Sequence, residues 1–232
     1  MNLLAEGLAH ICTADKTAAF LIEPRFDEVA ELLTRYMDEI ERFNPMYGLV
    51  KTDGGSGRSG SGRETLIVKH ILDSLAPLGH LARILEQTPS DKALADAGSG
   101  AGLPGIPLAI CLRGMRFTLI ERMGRRANFL RNVLAVLGLL HVTVEETELE
   151  RAPPGRFDLV TLRAVSPLTP AFTTSLFRLL RQGGIIAAYK GRRETAEAEL
   201  AGLSELPCTT ELVPLTVPFL NEERCLALIK RN

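Results

Sequence analysis

The chain has 232 residues, 46% hydrophobic and 24% charged, with 27 basic side chains against 28 acidic ones. This is ordinary composition for a chain that folds as one domain with an appendage; the net charge of -1 gives no global reason to expect nucleic acid, although a basic face is compatible with a balanced sum. No apolar run approaches the ~18 residues of a membrane span, the cysteines Cys12, Cys111, Cys208 and Cys225 form no CxxC pair, and "MNLLAEGLAHICTADK" has no basic start, so reduced thiols and a cytoplasmic location are expected.

Residues 1–43 repeat apolar positions at helical spacing, with Val29, Leu32, Leu33, Tyr36 and Ile40 on one face. "TDGGSGRSGSGRE" (52–64) is too rich in Gly and Ser to build a core and reads as a loop, flexible over 53–62, or as an inert linker. Helical pattern resumes over 64–85. Residues 1–85 are thus a helical extension and 86–232 the main fold. From "KALADAG" onward strands and helices alternate: strands at 115–121, 141–146, 157–164 and 185–190, helices at 125–137 (closed by Gly138) and 168–180, and a turn at Gly183 and Gly184. Strands separated by helices imply a parallel, doubly wound sheet. After a polar helix over 192–203, "TTELVPLTVP" and "ERCLALIKR" have only "FLNE" between them, too short for a crossover, and predict an antiparallel hairpin.

The run "DAGSGAGLPG" (96–105) reads two ways. Gly98, Gly100 and Gly102 spell GxGxG, as in S-adenosylmethionine (SAM) enzymes; Gly100, Gly102 and Gly105 spell GxGxxG, as in dinucleotide binders. Both need glycine for close backbone approach and unpaired N–H groups at a helix N-terminus, where Pro104 and Pro107 are well suited. Both also use an acid at the end of the second strand, where Glu121 stands. Three features favour SAM: Asp96 precedes the first glycine, the GxGxxG register leaves Gly98 and Ser99 as surplus in a turn that must be tight, and the closing hairpin matches the reversed seventh strand of SAM-dependent methyltransferases. A glycine motif alone is weak. The expected fold is α/β, a seven-stranded doubly wound class I methyltransferase (Rossmann-like) sheet with a C-terminal antiparallel hairpin and the N-terminal helical extension.

"FDLVTLRA" followed by "LLRQGGIIAAYKG" resembles the fourth- and fifth-strand elements of class I methyltransferases. More specifically, "RFNPMYGLV", "VKHILDSLAPL", "DAGSGAGLPGIPLAI", "FTLIERMGRRANFLRNV", "FDLVTLRAVSPL" and "AAYKG" resemble the ribosomal small-subunit methyltransferase G family, also called glucose-inhibited division protein B, over about residues 42–230. The resemblance implies a bacterial enzyme that methylates N7 of a guanine in the 530 loop of 16S ribosomal RNA. It would use SAM as donor and act on the 30S subunit or an assembly intermediate, without metal or membrane. The chain departs from the family pattern at Gly48, Leu49 and Val50, where "NLT" is usual, and in a longer Gly/Ser loop.

Guanine N7 attacks with an in-plane lone pair, so alignment rather than a general base is the work expected of the site. Gly98, Gly100 and Gly102 are expected to cradle the methionine part, with Leu103 opening the helix beneath. Glu121 is the expected ribose ligand; its plainer alternative is a strand-end acid. The resemblance puts Glu148 and Leu149 beside the adenine. Arg163 and Lys190 end the fourth and fifth strands, the edge where parallel sheets place ligands. Arg163 is expected to meet the SAM carboxylate or an RNA phosphate, and Lys190 to steer phosphate or hold the purine; a surface arginine and a snorkelling lysine are the alternatives. His70 and Asp73, three apart on a helix, either orient the methionine end or the base, or make a structural hydrogen bond. Asn44 reads as a cap from its position and as a pocket residue from the resemblance. Arg122, Arg125, Arg126 and Arg131, with Lys51, Arg58, Arg63 and Lys69, and with Arg192 and Arg193, form an RNA-binding rim if they converge. The competing readings are a SAM-dependent methyltransferase for another RNA, a protein or a small molecule, a dinucleotide-dependent oxidoreductase, and a non-catalytic SAM sensor or assembly factor.

Overall fold

The computed structural model describes residues 2–51, 62–87 and 91–232; apart from Gly62 the expected Gly/Ser loop, with Arg58, lies outside the described residues. The chain opens with α1 (Leu3–Ala14), α2 (Lys16–Ile22), a 3-10 turn (Glu23–Arg25) and α3 (Phe26–Tyr47). Asp15 starts α2 by accepting from the amides of Thr17 and Ala18 at 2.8 and 3.2 Å, the cap that satisfies otherwise orphaned donors. Its carboxylate is also held by Arg83 at 2.9 and 3.0 Å, a hydrogen-bonded pair that keeps Asp15 below its ordinary pKa. The five apolar residues expected on one face of α3 are all buried, and Gly48, left-handed at φ 57°, stops the helix by donating to the Asn44 carbonyl at 2.9 Å.

The single helix expected over 64–85 is broken. It comprises α4 (Gly62–Leu66), a π-helical stretch (Ile67–Leu72), α5 (Asp73–Leu75) and, beyond Pro77, α6 (Leu78–Glu86). Proline cannot continue the hydrogen-bond ladder, and π bonding widens the turn that carries Lys69 and His70.

The remaining elements are β1 (Ala93–Ala97), α7 (Gly105–Cys111), β2 (Arg116–Ile120), α8 (Gly124–Leu137), β3 (Val142–Glu145), β4 (Phe157–Arg163), α9 (Pro170–Leu179), β5 (Leu180–Lys190), α10 (Arg193–Ala201), β6 (Cys208–Leu215) and β7 (Arg224–Arg231). The seven strands lie in the order β3-β2-β1-β4-β5-β7-β6. All pairings are parallel except those of β7, which runs against both β5 and β6. Leu103 does not open the helix, as expected, but precedes it by two residues. Nor do Gly183 and Gly184 form a turn before β5. They lie inside the strand, where pairing jumps from Phe157–Leu180 to Leu159–Ile185, and residues 181–184 are accommodated as an irregularity with Gly183 at φ 80°.

β1 is buried on both sides, as a central parallel strand must be. Ala93, Ala95 and Ala97 face the cluster under α9 and α10, whereas Leu94 faces a larger cluster built with α1, α3, α6, α7 and α8. The helices before residue 86 therefore share one core with the sheet. Two polar contacts fix the docking of α3. The fully buried Tyr36 hydroxyl donates to the Ala101 carbonyl at 2.7 Å, and Asn132 donates to Glu39 at 2.6 Å. The edge strand β6 exposes Thr209, Thr210 and Glu211 and contains Pro214.

Tyr36→Phe leaves the nearly buried Ala101 carbonyl without its donor. Urea unfolding is expected to report a loss of about 1–3 kcal/mol; unchanged stability means that this bond does not anchor α3.

Candidate active site

The turn between β1 and α7 sits where the order of winding reverses, between β1 and β4, outside the carboxyl ends of the strands. Gly98, Gly100 and Gly102 all have positive φ, at 68°, 59° and 93°. Their surroundings differ. A Cβ on Gly102 falls 2.4 Å from Ile106 and one on Gly98 falls 2.9 Å from Val165, but one on Gly100 meets nothing nearer than 3.9 Å. Gly102 is therefore glycine for internal packing, whereas Gly100 faces open space in the cleft.

The hydrogen bonds of this turn reverse one expectation. All but one of the N–H groups expected to stand unpaired are engaged, Ala101 being the exception among the described residues: Gly98 and Ser99 donate to the Ile120 carbonyl (2.9 and 3.0 Å), and Gly102 and Leu103 to the Ser99 carbonyl (2.7 and 3.2 Å). Gly100 donates to Glu121 Oε2 at 2.8 Å and Gly105 to Asp96 Oδ2 at 3.2 Å. The carbonyls of Gly98 and Gly100 accept no hydrogen bond from the described residues. The turn thus has two carbonyls and a single amide, that of Ala101, left for a ligand, a polarity better suited to an ammonium than to a pyrophosphate. Glu121 is 4% exposed; its other oxygen accepts from Met123 N at 2.8 Å, so the acid shapes the turn and still has lone pairs for a ribose hydroxyl. Asp96 lies beneath the turn, not on the cleft wall, with Thr161 Oγ1 at 3.1 Å from its second oxygen. Burial outweighs these hydrogen bonds and pushes its carboxyl up to about 6.

The adjoining cleft has a volume of about 970 Å³. Of the residues singled out in the sequence, it brings together Leu49, Val50, Lys51, Lys69, His70, Asp73, Gly98, Gly100, Leu103, Arg126, Arg163, Lys190 and Arg192, whereas Gly102 and the buried Glu121 lie behind its lining. Asp73 is its crosspiece: only 5% exposed, it accepts from Arg163 at 2.8 Å and from Arg224 at 3.0 Å. Arg224 also binds Glu222, which binds Lys69, each at 3.0 Å. Lys190 is not free, because Glu199 Oε2 holds its ammonium at 2.6 Å and accepts from Leu168 N at 2.7 Å. His70 Nε2 lies 3.2 Å from the Lys51 carbonyl; burial, and then Arg163, lowers its pKa, so the neutral ring donates there. Arg126 and Arg192 line the cleft with no carboxylate partner among the described residues.

Other expected residues are elsewhere. Asn44 does not line the cleft; its Oδ1 accepts from Val50 N at 3.0 Å and fixes the segment that carries Leu49 and Val50 to the cleft wall. Glu148 pairs with Arg151 at 3.2 Å, and Leu149 packs under the sheet, so neither lines the cleft. The rim is smaller than the cluster of cations suggested. Arg63 is bound to Asp38 and Glu41, Arg131 to Glu146 and Arg193 to Glu197, while Arg122 and Arg125 are exposed outside the cleft lining. Arg224 and Glu199 were missed. The hairpin register held the signal for Arg224, which precedes Cys225, the partner of Lys190. Among the described residues no three His, Cys, Asp or Glu side chains are grouped to hold a metal ion, and no helix is long and apolar enough to cross a membrane.

Comparison with known proteins gives a consistent picture. The family model for rRNA small subunit methyltransferase G matches residues 29–227. The "Ribosomal RNA small subunit methyltransferase G" of Treponema pallidum is 38% identical over 231 residues, covering 98% of this chain and 92% of that protein; that of Treponema denticola is 35% identical, covering 90% and 89%. Among solved structures, one described as "a predicted O-methyltransferase" of Agrobacterium tumefaciens superposes with a TM-score of 0.51 at 21% identity, over 70% of this chain and 79% of that one. A geranyl diphosphate methyltransferase solved with SAM gives 0.51 at 14%, over 68% and 85%. The fold is that of class I methyltransferases.

The buried Asp96 carboxyl makes stability depend on pH. Its folded-state value of about 6 lies above the ordinary 3.8, so its contribution is intact below about pH 4 and lost as pH rises through 6, on the order of 3 kcal/mol. Urea midpoints of Asp96→Asn against the wild type are expected to shift in favour of the variant between pH 4 and 7; a difference constant with pH is the contrary result.

Proposed function

The chain belongs to the rRNA small subunit methyltransferase G family, and on that premise we propose that it uses SAM to methylate N7 of a guanine in the 530 loop of 16S ribosomal RNA. The substrate is the 30S subunit or an assembly intermediate, met in the cytoplasm. The observation that carries this reading is the polarity of the glycine turn: most of its amides are engaged, Gly98 and Gly100 line the cleft, and their carbonyls, left without a donor among the described residues, suit the ammonium of an amino-acid cofactor. Glu121, bonded to the Gly100 amide, takes the ribose.

SAM, when bound, supplies a methyl group carried on a sulfonium, and guanine N7 takes it with an in-plane lone pair, so no proton has to leave. The protein's part is therefore placement, which contributes up to about 7–11 kcal/mol when reacting groups are held in line. Arg163 ends β4 beside the turn, and Asp73 fixes its guanidinium at 2.8 Å. Asp73 also binds Arg224, so one carboxylate holds both guanidinium groups in place. Leu49 and Val50 give the cleft an apolar wall against which a base loses its water. Arg126 and Arg192, lacking carboxylate partners, meet phosphates.

The direct experiment is mass spectrometry of 16S RNA after incubating unmodified 30S particles and labelled SAM with the protein. One new 7-methylguanosine in the 530 loop is expected; methyl transfer only to proteins or small molecules would refute the assignment. Gly100→Ala separates binding from folding. Its added methyl finds protein-free space but a left-handed backbone, which costs roughly 1–2 kcal/mol of stability, and calorimetry is expected to show SAM affinity reduced by at least about tenfold (1.4 kcal/mol). Unchanged affinity would move the cofactor away from this turn.

A further inference from the structure

One exposed aromatic has no part in the cleft just described. Residues 216–223 join β6 to β7 at the cleft mouth: Leu215 before them and Arg224 after them line the cleft, and Glu222 holds Lys69 on the facing helix at 3.0 Å. Within this connection Leu220 N donates to the Val217 carbonyl at 3.1 Å, closing a tight turn with Pro218 second and Phe219 third. Phe219 has φ 65°. Proline second and positive φ third is the type II pattern, which normally takes Gly or Asn at the third place because a Cβ is crowded there.

The flanks are anchored. Val217 and Pro218 are buried and Leu220 packs on the core, whereas Phe219 is 47% exposed. A small residue would make the same turn without strain and without presenting a ring to water. Strained residues that persist at a site mouth call for a functional account. The ring leans on His10 of α1, with centroids 5.2 Å apart and tilted by 38°, so two flat side chains stand together on the connection that leaves the cleft at Leu215 and returns to it at Arg224. α1 in turn packs against the π-helical stretch that carries Lys69 and His70.

We propose that Phe219, with His10 beside it, is a stacking platform for an unpaired base adjacent to the guanine that enters the cleft. The inference rests on the ribosomal RNA reading above. Proteins recognise unpaired RNA by stacking bases on exposed aromatics, with neighbouring cations following the backbone; here Arg192, without a carboxylate partner among the described residues, lines the adjoining cleft.

The test compares Phe219→Gly, Phe219→Asn and Phe219→Trp with wild type in methylation of 30S particles, in SAM affinity and in thermal midpoint. For the Gly and Asn variants KM for the particles is expected to rise roughly tenfold while the Trp variant stays within about twofold of wild type. SAM affinity and kcat stay unchanged in all three. The midpoint of the Gly and Asn variants stays level or rises, because the strain is relieved. An unchanged KM in the Gly and Asn variants overturns the proposal, as does a lowered midpoint in both, which assigns the ring to packing against α1. Wild-type protein inert on 30S particles and on 16S RNA overturns the parent reading together with this one; active wild type with an unchanged Gly variant overturns this one alone.

Discussion

Most amides of the turn after β1 are bonded within the protein, and much of the site follows from that. Two of them converge on the Ile120 carbonyl at the end of β2, a third on Glu121 and a fourth on Asp96. The turn is thereby tied to the ends of the two strands beneath it and cannot offer the row of N–H groups with which helix N-termini bind phosphate. The carbonyls of Gly98 and Gly100 are left without donors among the described residues. From the other side the Tyr36 hydroxyl binds the same turn at Ala101, so the N-terminal helices take part in setting the shape of the cleft.

Asp73 does for the far wall of the cleft what Glu121 does for the near one. Arg163 on β4 and Arg224 at the start of β7 are distant in the chain, and one buried carboxylate from the helical region fixes both. A buried ion cluster of this kind is a poor source of net stability, because taking the charges out of water offsets their attraction. Its contribution is geometric: it makes the position of Arg163 depend on three elements at once. The reversed strand β7 is what makes this possible, since antiparallel pairing with β5 sets Cys225 opposite Lys190 and puts Arg224 beside the cleft.

Much of this was legible in the sequence. Hydrophobic period and the spacing of turns disclosed the alternation of strands and helices, and the brevity of "FLNE" disclosed the hairpin, because local chain geometry decides both. The glycine run disclosed where the cleft lies. The direction of the turn's hydrogen bonds was not legible, since it depends on where Ile120 and Glu121 come to rest against residues more than 20 positions earlier. The same holds for the cations. Arg63 and Arg131 looked available because their partners, Asp38 and Glu146, are far away in the chain, whereas the Arg193–Glu197 pair at helical spacing was readable. The break in the helix over 64–85 had a visible cause in Pro77, but the π-helical stretch had no signal that periodicity detects.

The same reversal of direction has a cost at the margin of the sheet. With β7 inserted between β5 and β6, the last strand is left bonded on one side only, and such a margin is a template for another extended chain. Pro214, near its end, supplies no N–H to a newcomer, and the threonines and glutamate at its start keep it wetted. A sheet rearranged to frame a binding cleft thus carries, along its outermost strand, its own barrier to self-association.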